Sequence, residues 1–189
     1  MKVKICALTR EMDVELAIEL GADAVGFVVE PTSKRALTPE RAKELARIAQ
    51  GKAQTVVVFG EFYAFKGIEG FDLVQYRWSP GATPRERQRP ALTLDHAPRW
   101  EPAQEFILEP TVAGQFGGTG QLADWDAAHK LVEQGYEAMH LAGGLTPDNV
   151  AAAIAKVQPF GVDVASGTEA SYGIKDPARM RDFIAAAKL

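Results

Sequence analysis

The chain has 189 residues, of which 47% are hydrophobic and 24% are charged, as is typical of a soluble globular protein. This length favours a single domain, spanning residues 1–189, that is large enough to bury a hydrophobic core. The formal net charge is −4. Such a balance argues against a nucleic-acid partner, because proteins that bind nucleic acids usually carry a basic face.

Cysteine content and the N-terminal residues bear on localisation. Cys6 is the only cysteine, so no disulfide can form within the chain, which suits a reducing compartment. The first ten residues carry charges where a signal peptide needs a continuous apolar run. The sequence contains no stretch of about 20 apolar residues that would span a membrane. We therefore expect a cytoplasmic protein without a membrane partner.

Short β-rich runs alternate with helical segments along the chain. In chain order we predict a strand at 3–6, a helix at 13–20, a strand at 24–29, a helix at 38–49, and strands at 54–59, 73–76, 90–94 and 105–109. There follow a helix at 123–134, a strand at 138–142, a helix that opens at 146–148, a strand at 162–165 and a helix at 176–187. Eight strands alternating with helices predict an α/β fold, a (β/α)8 TIM barrel.

The middle of the chain is short for this fold. Residues 60–70 and 85–89 leave room for only a turn or two of helix each, and such barrels typically run to about 250 residues. We therefore expect a compact barrel with rudimentary helices after strands 3, 4 and 5. The competing fold is an open, doubly wound sheet with fewer strands.

Three glycine-rich turns follow strands 6, 7 and 8 of the predicted barrel. They are Gly117-Gly118-Thr119-Gly120, Gly143-Gly144 and Ser166-Gly167. Glycine lets backbone N–H groups approach a ligand closely, and the loops after strands 7 and 8 of such barrels commonly bind phosphate. The alternative is that the glycines only form tight turns, and we prefer that explanation for Gly120. For Gly118, Gly143, Gly144, Ser166 and Gly167 we predict phosphate binding.

Several motifs at the two ends of the chain occur together in one known family. They are KICALTR at 4–10, GADAVGF at 21–27, PTSKR at 31–35, GGTG at 117–120, AGGLTPDNV at 142–150 and GVDVASG at 161–167. In this order they resemble the phosphoribosylanthranilate isomerase family of tryptophan biosynthesis. The resemblance covers about residues 1–50 and 105–189, whereas 60–104 match poorly. It implies a barrel fold, a phosphosugar substrate, and an Amadori rearrangement that needs no metal or redox cofactor.

The resemblance implies that Cys6 is the general base, which removes a proton from the sugar C2 carbon. Alternation along strand 1 supports this position, because it puts Lys4 and Cys6 on the face opposite Val3 and Ile5. A cysteine base acts as thiolate, which a nearby cation such as Lys4 favours. The alternative is a small buried hydrophobic side chain, the commonest fate of a lone cysteine.

Glu109 falls where the family carries an aspartate as the general acid that protonates the furanose ring oxygen. Alternation puts Glu105, Ile107 and Glu109 on one face of strand 6, so that Glu109 can point inward. Glutamic acid performs the same proton transfer as aspartic acid, but its side chain is one methylene longer. The alternative is an exposed carboxylate at the end of a strand.

Two further residues are implied in substrate binding. Arg35 matches the family's arginine near the anthranilate carboxylate, which a guanidinium can bind through two hydrogen bonds. A solvated loop arginine is the alternative. Asp163 should face inward on strand 8, where the family's aspartate contacts the substrate. Because strand 8 neighbours strand 1 in a closed barrel, Asp163 has a second possible role as the partner of a buried Lys4.

The sequence also departs from the family pattern. Ala7 replaces a glycine, and its methyl group would crowd the site or require a φ angle that alanine disfavours. Arg77 stands at the family's histidine position. Two other hypotheses therefore stay open: a non-catalytic barrel that keeps phosphate binding, and an enzyme for another phosphorylated sugar amine. A monomer and a homodimer are both compatible with the resemblance.

Overall fold

Eight parallel strands close into a barrel in chain order. The structure is a computed structural model that describes residues 1–61, 69–79, 87–97, 101, 104–110 and 120–189. The barrel strands are β1 (Lys2–Ile5), β2 (Ala24–Val28), β3 (Gln54–Glu61), β4 (Leu73–Arg77), β5 (Gln88–Leu92), β6 (Phe106–Leu108), β7 (Met139–Ala142) and β8 (Gly161–Val164). The predicted (β/α)8 barrel is confirmed. The alternative prediction of an open sheet is wrong, because β1 pairs with β8 and closes the barrel.

Helices lie against the outside of the barrel. They are α1 (Glu11–Glu19), α2 (Pro39–Ala49), α3 (Trp125–Glu133), α4 (Val150–Val157) and α5 (Pro177–Ala187). The predicted start of α2 is confirmed, since the Thr38 side chain accepts a hydrogen bond from the Arg41 N–H and Pro39 occupies the first turn. Within the described residues, no helix is long and apolar enough to traverse a membrane.

Some predicted boundaries are wrong. Strand β5 begins two residues before the predicted segment 90–94, so Pro90 lies within the strand and pairs with Tyr76 of β4. Helix α4 begins at Val150 rather than at residue 146. Before it, the Asn149 side chain accepts from the Thr146 N–H and donates to the Gly144 carbonyl, which stabilises a turn in place of the predicted first helical turn.

The connections after β3, β4 and β5 fall partly outside the described residues. Residues 62–68, 80–86, 98–100 and 102–103 of these connections are not described. The expectation of rudimentary helices in these connections therefore stays a prediction.

Strand β1 separates two layers of buried side chains. Val3 and Ile5 belong to the large core between the barrel and its helices. Cys6, just past the strand end, packs instead with Ala24, Val28, Val56 and Val58. These residues come from β2 and β3 and lie inside the barrel. The predicted inward orientation of Cys6 is confirmed, and it follows from the period of two along a strand.

The chain makes a short hairpin between β8 and α5. A 3-10 turn, Ser166–Thr168, leads into β9 (Glu169–Ser171), which pairs antiparallel with β10 (Ile174–Lys175). This hairpin was not predicted, because each strand is too short to show a clear alternation. It sits beside the end of the barrel at which the parallel strands finish, and it supplies two buried charged residues, Glu169 and Lys175.

Candidate active site

A cleft opens at the carboxyl ends of the barrel strands. The predicted site residues that line it are Cys6, Arg35, Glu109, Gly143, Gly144, Asp163, Ser166 and Gly167. Gly118, the remaining predicted phosphate-binding residue, lies outside the described part of the chain. Residues that are scattered over six loops and strand ends in the sequence thus meet in one place, as expected of the carboxyl end of a barrel.

Cys6 sits on the floor of this cleft. Its N–H donates to the Val164 carbonyl at 2.8 Å, which extends the β1–β8 pairing by one residue. Gly26 on the neighbouring strand makes room for its side chain. A Cβ at position 26 would stand 2.8 Å from the Cys6 Sγ and 3.0 Å from the Lys4 Cε. The absence of a side chain at Gly26 is therefore a condition for the position of the thiol.

Beneath Cys6, Lys4 is buried in an ion pair. Its Nζ lies 2.8 Å from Asp163 Oδ2 and donates to Gln75 Oε1 at 2.9 Å. Of the two roles considered for Asp163, the pairing with Lys4 is confirmed. Asp163 Oδ1 is also buried, and it has no hydrogen-bond partner among the residues that the structure describes. The second role considered for Asp163, contact with the substrate, stays a prediction.

The charges of this group act on the Cys6 thiol in opposite directions. Burial and the Asp163 carboxylate raise the pKa of Cys6, whereas the ammonium groups of Lys4 and Lys175 lower it. Burial outweighs the cations, so the net pKa of Cys6 is raised. Burial alone would lower the pKa of Lys4, but the adjacent Asp163 raises it, and Lys4 therefore stays charged beside the thiol.

Glu109 follows β6 and lines the same cleft. Its N–H donates to the Leu92 carbonyl at 2.8 Å, which places the residue one step beyond the strand on the inward-facing register. Burial, reinforced by the charge of Asp163, raises the pKa of Glu109 to about 7, against the opposing charges of Lys4 and Arg77. A carboxyl group with this pKa keeps its proton in much of the protein near neutral pH, as a general acid requires.

Arg35 lies in the loop after β2 and lines the cleft. Its Nε donates to Glu169 Oε1 and its Nη2 donates to Glu169 Oε2, both at 2.7 Å, and both side chains are buried. The sequence-based alternative of a solvated loop arginine is therefore wrong. The role of Arg35 toward an anthranilate carboxylate stays a prediction, and the pairing with Glu169 was not predicted.

The glycines of the later loops are needed for close backbone packing. A Cβ at Gly167 would stand 1.9 Å from the Leu145 carbonyl oxygen, and one at Gly144 would stand 2.7 Å from the Leu122 Cα. Gly143 has a φ of 97°. Tight packing and phosphate binding are compatible, because the packing brings the loops after β7 and β8 together at the cleft.

Two departures from the family pattern also line the cleft. Ala7 has a φ of 62°, so the prediction that this position requires an angle unfavourable to alanine is confirmed. Arg77 ends β4, and its charge opposes the rise in the pKa of Glu109 and contributes to the lowered pKa of Glu30. The cleft therefore contains a permanent cation near its proposed general acid.

Comparisons with known proteins agree with this geometry. The profile described as N-(5'-phosphoribosyl)anthranilate isomerase matches residues 91–186. The N-(5'-phosphoribosyl)anthranilate isomerase of Geotalea daltonii is 37% identical over 99% of this chain and 96% of its own. The chain belongs to the phosphoribosylanthranilate isomerase family.

Solved structures of phosphoribosylanthranilate isomerases have the same fold. The monomers generated from the dimeric enzyme of Thermotoga maritima superpose with a TM-score of 0.82 at 29% identity, covering 100% of this chain and 98% of that one. An isomerase in complex with reduced 1-(o-carboxyphenylamino)-1-deoxyribulose 5-phosphate superposes with a TM-score of 0.78 at 29% identity, with the same coverage. These structural comparisons cover the whole chain, including the stretch 60–104 that resembles the family poorly in sequence.

Sequence reasoning missed four residues that lie against the predicted site residues or their partners. Gly26 and Gln75 position Cys6 and Lys4, while Glu169 and Lys175 surround Arg35. Only Gly26 had a signal, because it lies in a motif that supports the family resemblance. The other three act through partners at least 71 positions away, or from a hairpin too short to be predicted.

Proposed function

We propose that this chain catalyses the Amadori rearrangement of N-(5'-phosphoribosyl)anthranilate, with Glu109 as general acid and Cys6 as general base. The observation that carries this assignment is that the two groups face one cleft beside Arg35 and the glycine-rich loops. The membership of the phosphoribosylanthranilate isomerase family supports the reaction. The role of each residue rests on the geometry and on the chemistry that the reaction needs.

Ring opening is the step that needs the acid. Glu109 donates its proton to the furanose ring oxygen while the C1–O bond breaks and its electron pair goes to that oxygen. The lone pair of the anthranilate nitrogen then forms a C1=N bond, which leaves a cationic iminium. A pKa of about 7 suits this transfer, because the carboxyl group still carries a proton near neutral pH and also releases it readily.

The second step needs the base. The Cys6 thiolate takes the proton from C2, and the electrons of the C2–H bond form a C1=C2 bond while the iminium nitrogen becomes neutral. A proton added at C1 and one lost from the C2 hydroxyl then give the aminoketone. Lys4 supports the thiolate electrostatically, and its own charge is held by Asp163.

The remaining predicted residues bind the two ends of the substrate. The loops with Gly143, Gly144, Ser166 and Gly167 would hold the phosphate through backbone N–H groups, and Gly118 would contribute from the loop after β6. Arg35 would bind the carboxylate, and Asp163 Oδ1 would accept from a sugar hydroxyl. We place the enzyme in the cytoplasm as a monomer or a homodimer, since a neighbouring structure derives from a dimeric isomerase.

The non-catalytic hypothesis rested on Ala7, Arg77, Glu109 and the short middle of the chain, and the altered-substrate hypothesis rested on the changed strand-4 region around Arg77. Similarity to curated isomerases over almost the full length of the chain supports the isomerase instead. The raised pKa of Glu109 also supports it, because a protonated carboxyl group fits the acid role despite the longer side chain.

A fluorescence assay tests the proposal. Purified protein is mixed with freshly prepared phosphoribosylanthranilate, and the loss of substrate fluorescence is followed above the spontaneous rate. We expect turnover that falls about 10²- to 10⁴-fold in Cys6→Ala and in Glu109→Gln, with KM less affected. Glu15→Gln, on the exposed face of α1, serves as the control. Near-wild-type turnover in both site variants would contradict the assignment.

A further inference from the structure

The hairpin β9–β10 brings two opposite charges into the protein interior. Glu169 and Lys175 face each other across its base, with Lys175 Nζ 3.7 Å from Glu169 Oε1. The side chain of Lys175 is 0% exposed and that of Glu169 is 5% exposed. Burying charges is costly unless they are paired and hydrogen-bonded, so these contacts need a structural or functional reason.

Both the side chain and the backbone of Glu169 accept hydrogen bonds. Oε1 accepts from the Gly173 N–H at 3.3 Å, and the Glu169 carbonyl accepts from Arg179 at 2.7 Å. Lys175 is fixed in turn, because its Nζ donates to the Ala165 carbonyl at 2.8 Å. The hairpin thus ties Glu169 to the end of β8 and to helix α5, and the carboxylate has little freedom to move.

The hairpin makes two kinds of contact with the Arg35 side chain. Glu169 binds the guanidinium along the edge formed by Nε and Nη2. The ring of Tyr172, at the tip of the hairpin, covers its face with 4.9 Å between the Arg35 Cζ and the ring centroid. Because a guanidinium is planar, one edge and one face fix its orientation.

Among the residues that the structure describes, no hydrogen-bond acceptor occupies the second edge of the Arg35 guanidinium. Arg35 has five N–H donors, of which Glu169 takes two on the Nε side. The edge formed by Nη1 and the second Nη2 hydrogen points away from Glu169, and Arg35 lines the cleft. With two cations, Arg35 and Lys175, against the single carboxylate of Glu169, the group keeps a net positive charge that suits an anion.

We infer that Glu169 is a positioning residue, which holds Arg35 so that the free edge of its guanidinium meets the carboxylate of the substrate. Tyr172 is the second positioning residue, acting on the face of the same group. The inference rests on the proposed function for the identity of the substrate. It predicts that Glu169 and Tyr172 contribute to recognition of the carboxylate but not to the acid–base steps.

The test compares two substrates that differ only in the carboxylate. These are phosphoribosylanthranilate and the corresponding phosphoribosyl amine of aniline. In Glu169→Gln, one of the two Arg35 nitrogens loses its carboxylate oxygen, and we expect KM for the anthranilate substrate to rise about 10-fold while kcat changes less than about 3-fold. KM for the aniline substrate should stay at the wild-type value. Glu169→Asp should recover part of the loss.

Two outcomes would overturn the inference. An equal rise in KM for both substrates would mean that the substitution disturbs the cleft as a whole. A fall in KM for the anthranilate substrate would mean that Glu169 competes with the substrate for Arg35.

A second pair of variants tests the same inference at an exposed residue, because substitution of the buried Glu169 can also disturb folding. Tyr172 is 59% exposed, and the two variants are Tyr172→Leu and Tyr172→Phe. We expect Leu to raise KM for the anthranilate substrate about 3-fold and Phe to leave it unchanged.

A binding measurement separates this inference from the proposed function. Calorimetric titration with reduced 1-(o-carboxyphenylamino)-1-deoxyribulose 5-phosphate requires no turnover. If the wild type binds this compound without catalysing the reaction, the proposed function fails, and about 10-fold weaker binding by Glu169→Gln would still support the positioning role. Equal binding by the wild type and Glu169→Gln, or no binding by the wild type, would overturn it.

Discussion

Lys4 and Asp163 form an ion pair inside the barrel, with 2.8 Å between Nζ and Oδ2. They lie opposite each other on β1 and β8, the two strands whose pairing closes the barrel. Their side chains are 1% and 6% exposed. We expect Lys4→Met to destabilise the protein by about 3–5 kcal/mol, because it leaves a buried carboxylate without its partner. Urea unfolding measures the effect.

The control for this prediction is a more exposed ion pair made by Lys2, which lies on the same strand as Lys4. Lys2 Nζ lies 3.0 Å from Asp23 Oδ1, a distance similar to that of the buried pair, but the Lys2 side chain is 57% exposed. We expect Lys2→Met to cost less than about 1 kcal/mol, since exposed pairs contribute little. The double variant Lys4→Met/Asp163→Leu should recover most of the lost stability. Equal effects of Lys2→Met and Lys4→Met would contradict the argument.

The pKa values of Glu109 and Cys6 predict an unusual pH dependence. The reactive enzyme needs a protonated Glu109 and an ionised Cys6, yet the pKa of Glu109 is about 7 and that of Cys6 is raised above its usual range. Between the two pKa values, most molecules therefore have an ionised Glu109 and a protonated Cys6, and the reactive form is a constant minor fraction. We expect kcat/KM to rise with pH up to about 7, stay level, and fall above the pKa of Cys6.

Removal of Glu109 changes this profile in a specific way. In Glu109→Gln, the residual activity should rise through pH 7 without a plateau, because it then follows the ionisation of Cys6 alone. An inflection near pH 7 that persists in the variant would assign it to another group. Wild-type activity that falls as the pH rises through 7 would mean that Cys6 ionises before Glu109, against the order that the structure implies.

Gly26 and Gly161 offer a matched pair of substitutions inside the barrel. A Cβ at Gly26 would stand 2.8 Å from the Cys6 Sγ, whereas one at Gly161 would stand 2.5 Å from the His140 Nδ1, at the opposite end of the barrel. Both Gly→Ala changes crowd the interior and should each cost about 1–3 kcal/mol of stability. We expect only Gly26→Ala to lower kcat, at least about 10-fold, because it displaces the proposed base. Similar kcat losses in both variants would contradict a specific effect on Cys6.

Local periodicity, together with the family resemblance, predicted the fold and part of the site. The alternation of Val3 and Ile5 with Lys4 and Cys6 predicted which side chains face inward, and the barrel followed from eight such strands. Long-range pairs were not predictable in the same way. Arg35 and Glu169 are 134 positions apart, and no local pattern states that one will neutralise the other. Pairings of this kind depend on the closed three-dimensional arrangement, which periodicity does not encode.

Ala7, which follows the proposed base Cys6, has a strained backbone conformation. Its φ of 62° belongs to the left-handed region, which costs a residue other than glycine about 1–2 kcal/mol. Replacement by glycine removes that cost but adds about 0.4–1 kcal/mol of conformational freedom to the unfolded chain. We therefore expect Ala7→Gly to leave the free energy of unfolding unchanged or to increase it by about 1 kcal/mol, as measured by urea unfolding.

The same substitution at an ordinary helical position should have the opposite sign. Ala152 is exposed within α4, where alanine favours the folded state, and Ala152→Gly should destabilise the protein by about 1 kcal/mol. The difference between the two variants isolates the strain at Ala7, because the unfolded-state contribution of glycine is common to both. Equal destabilisation by the two substitutions would mean that the backbone beside Cys6 carries no strain that glycine relieves.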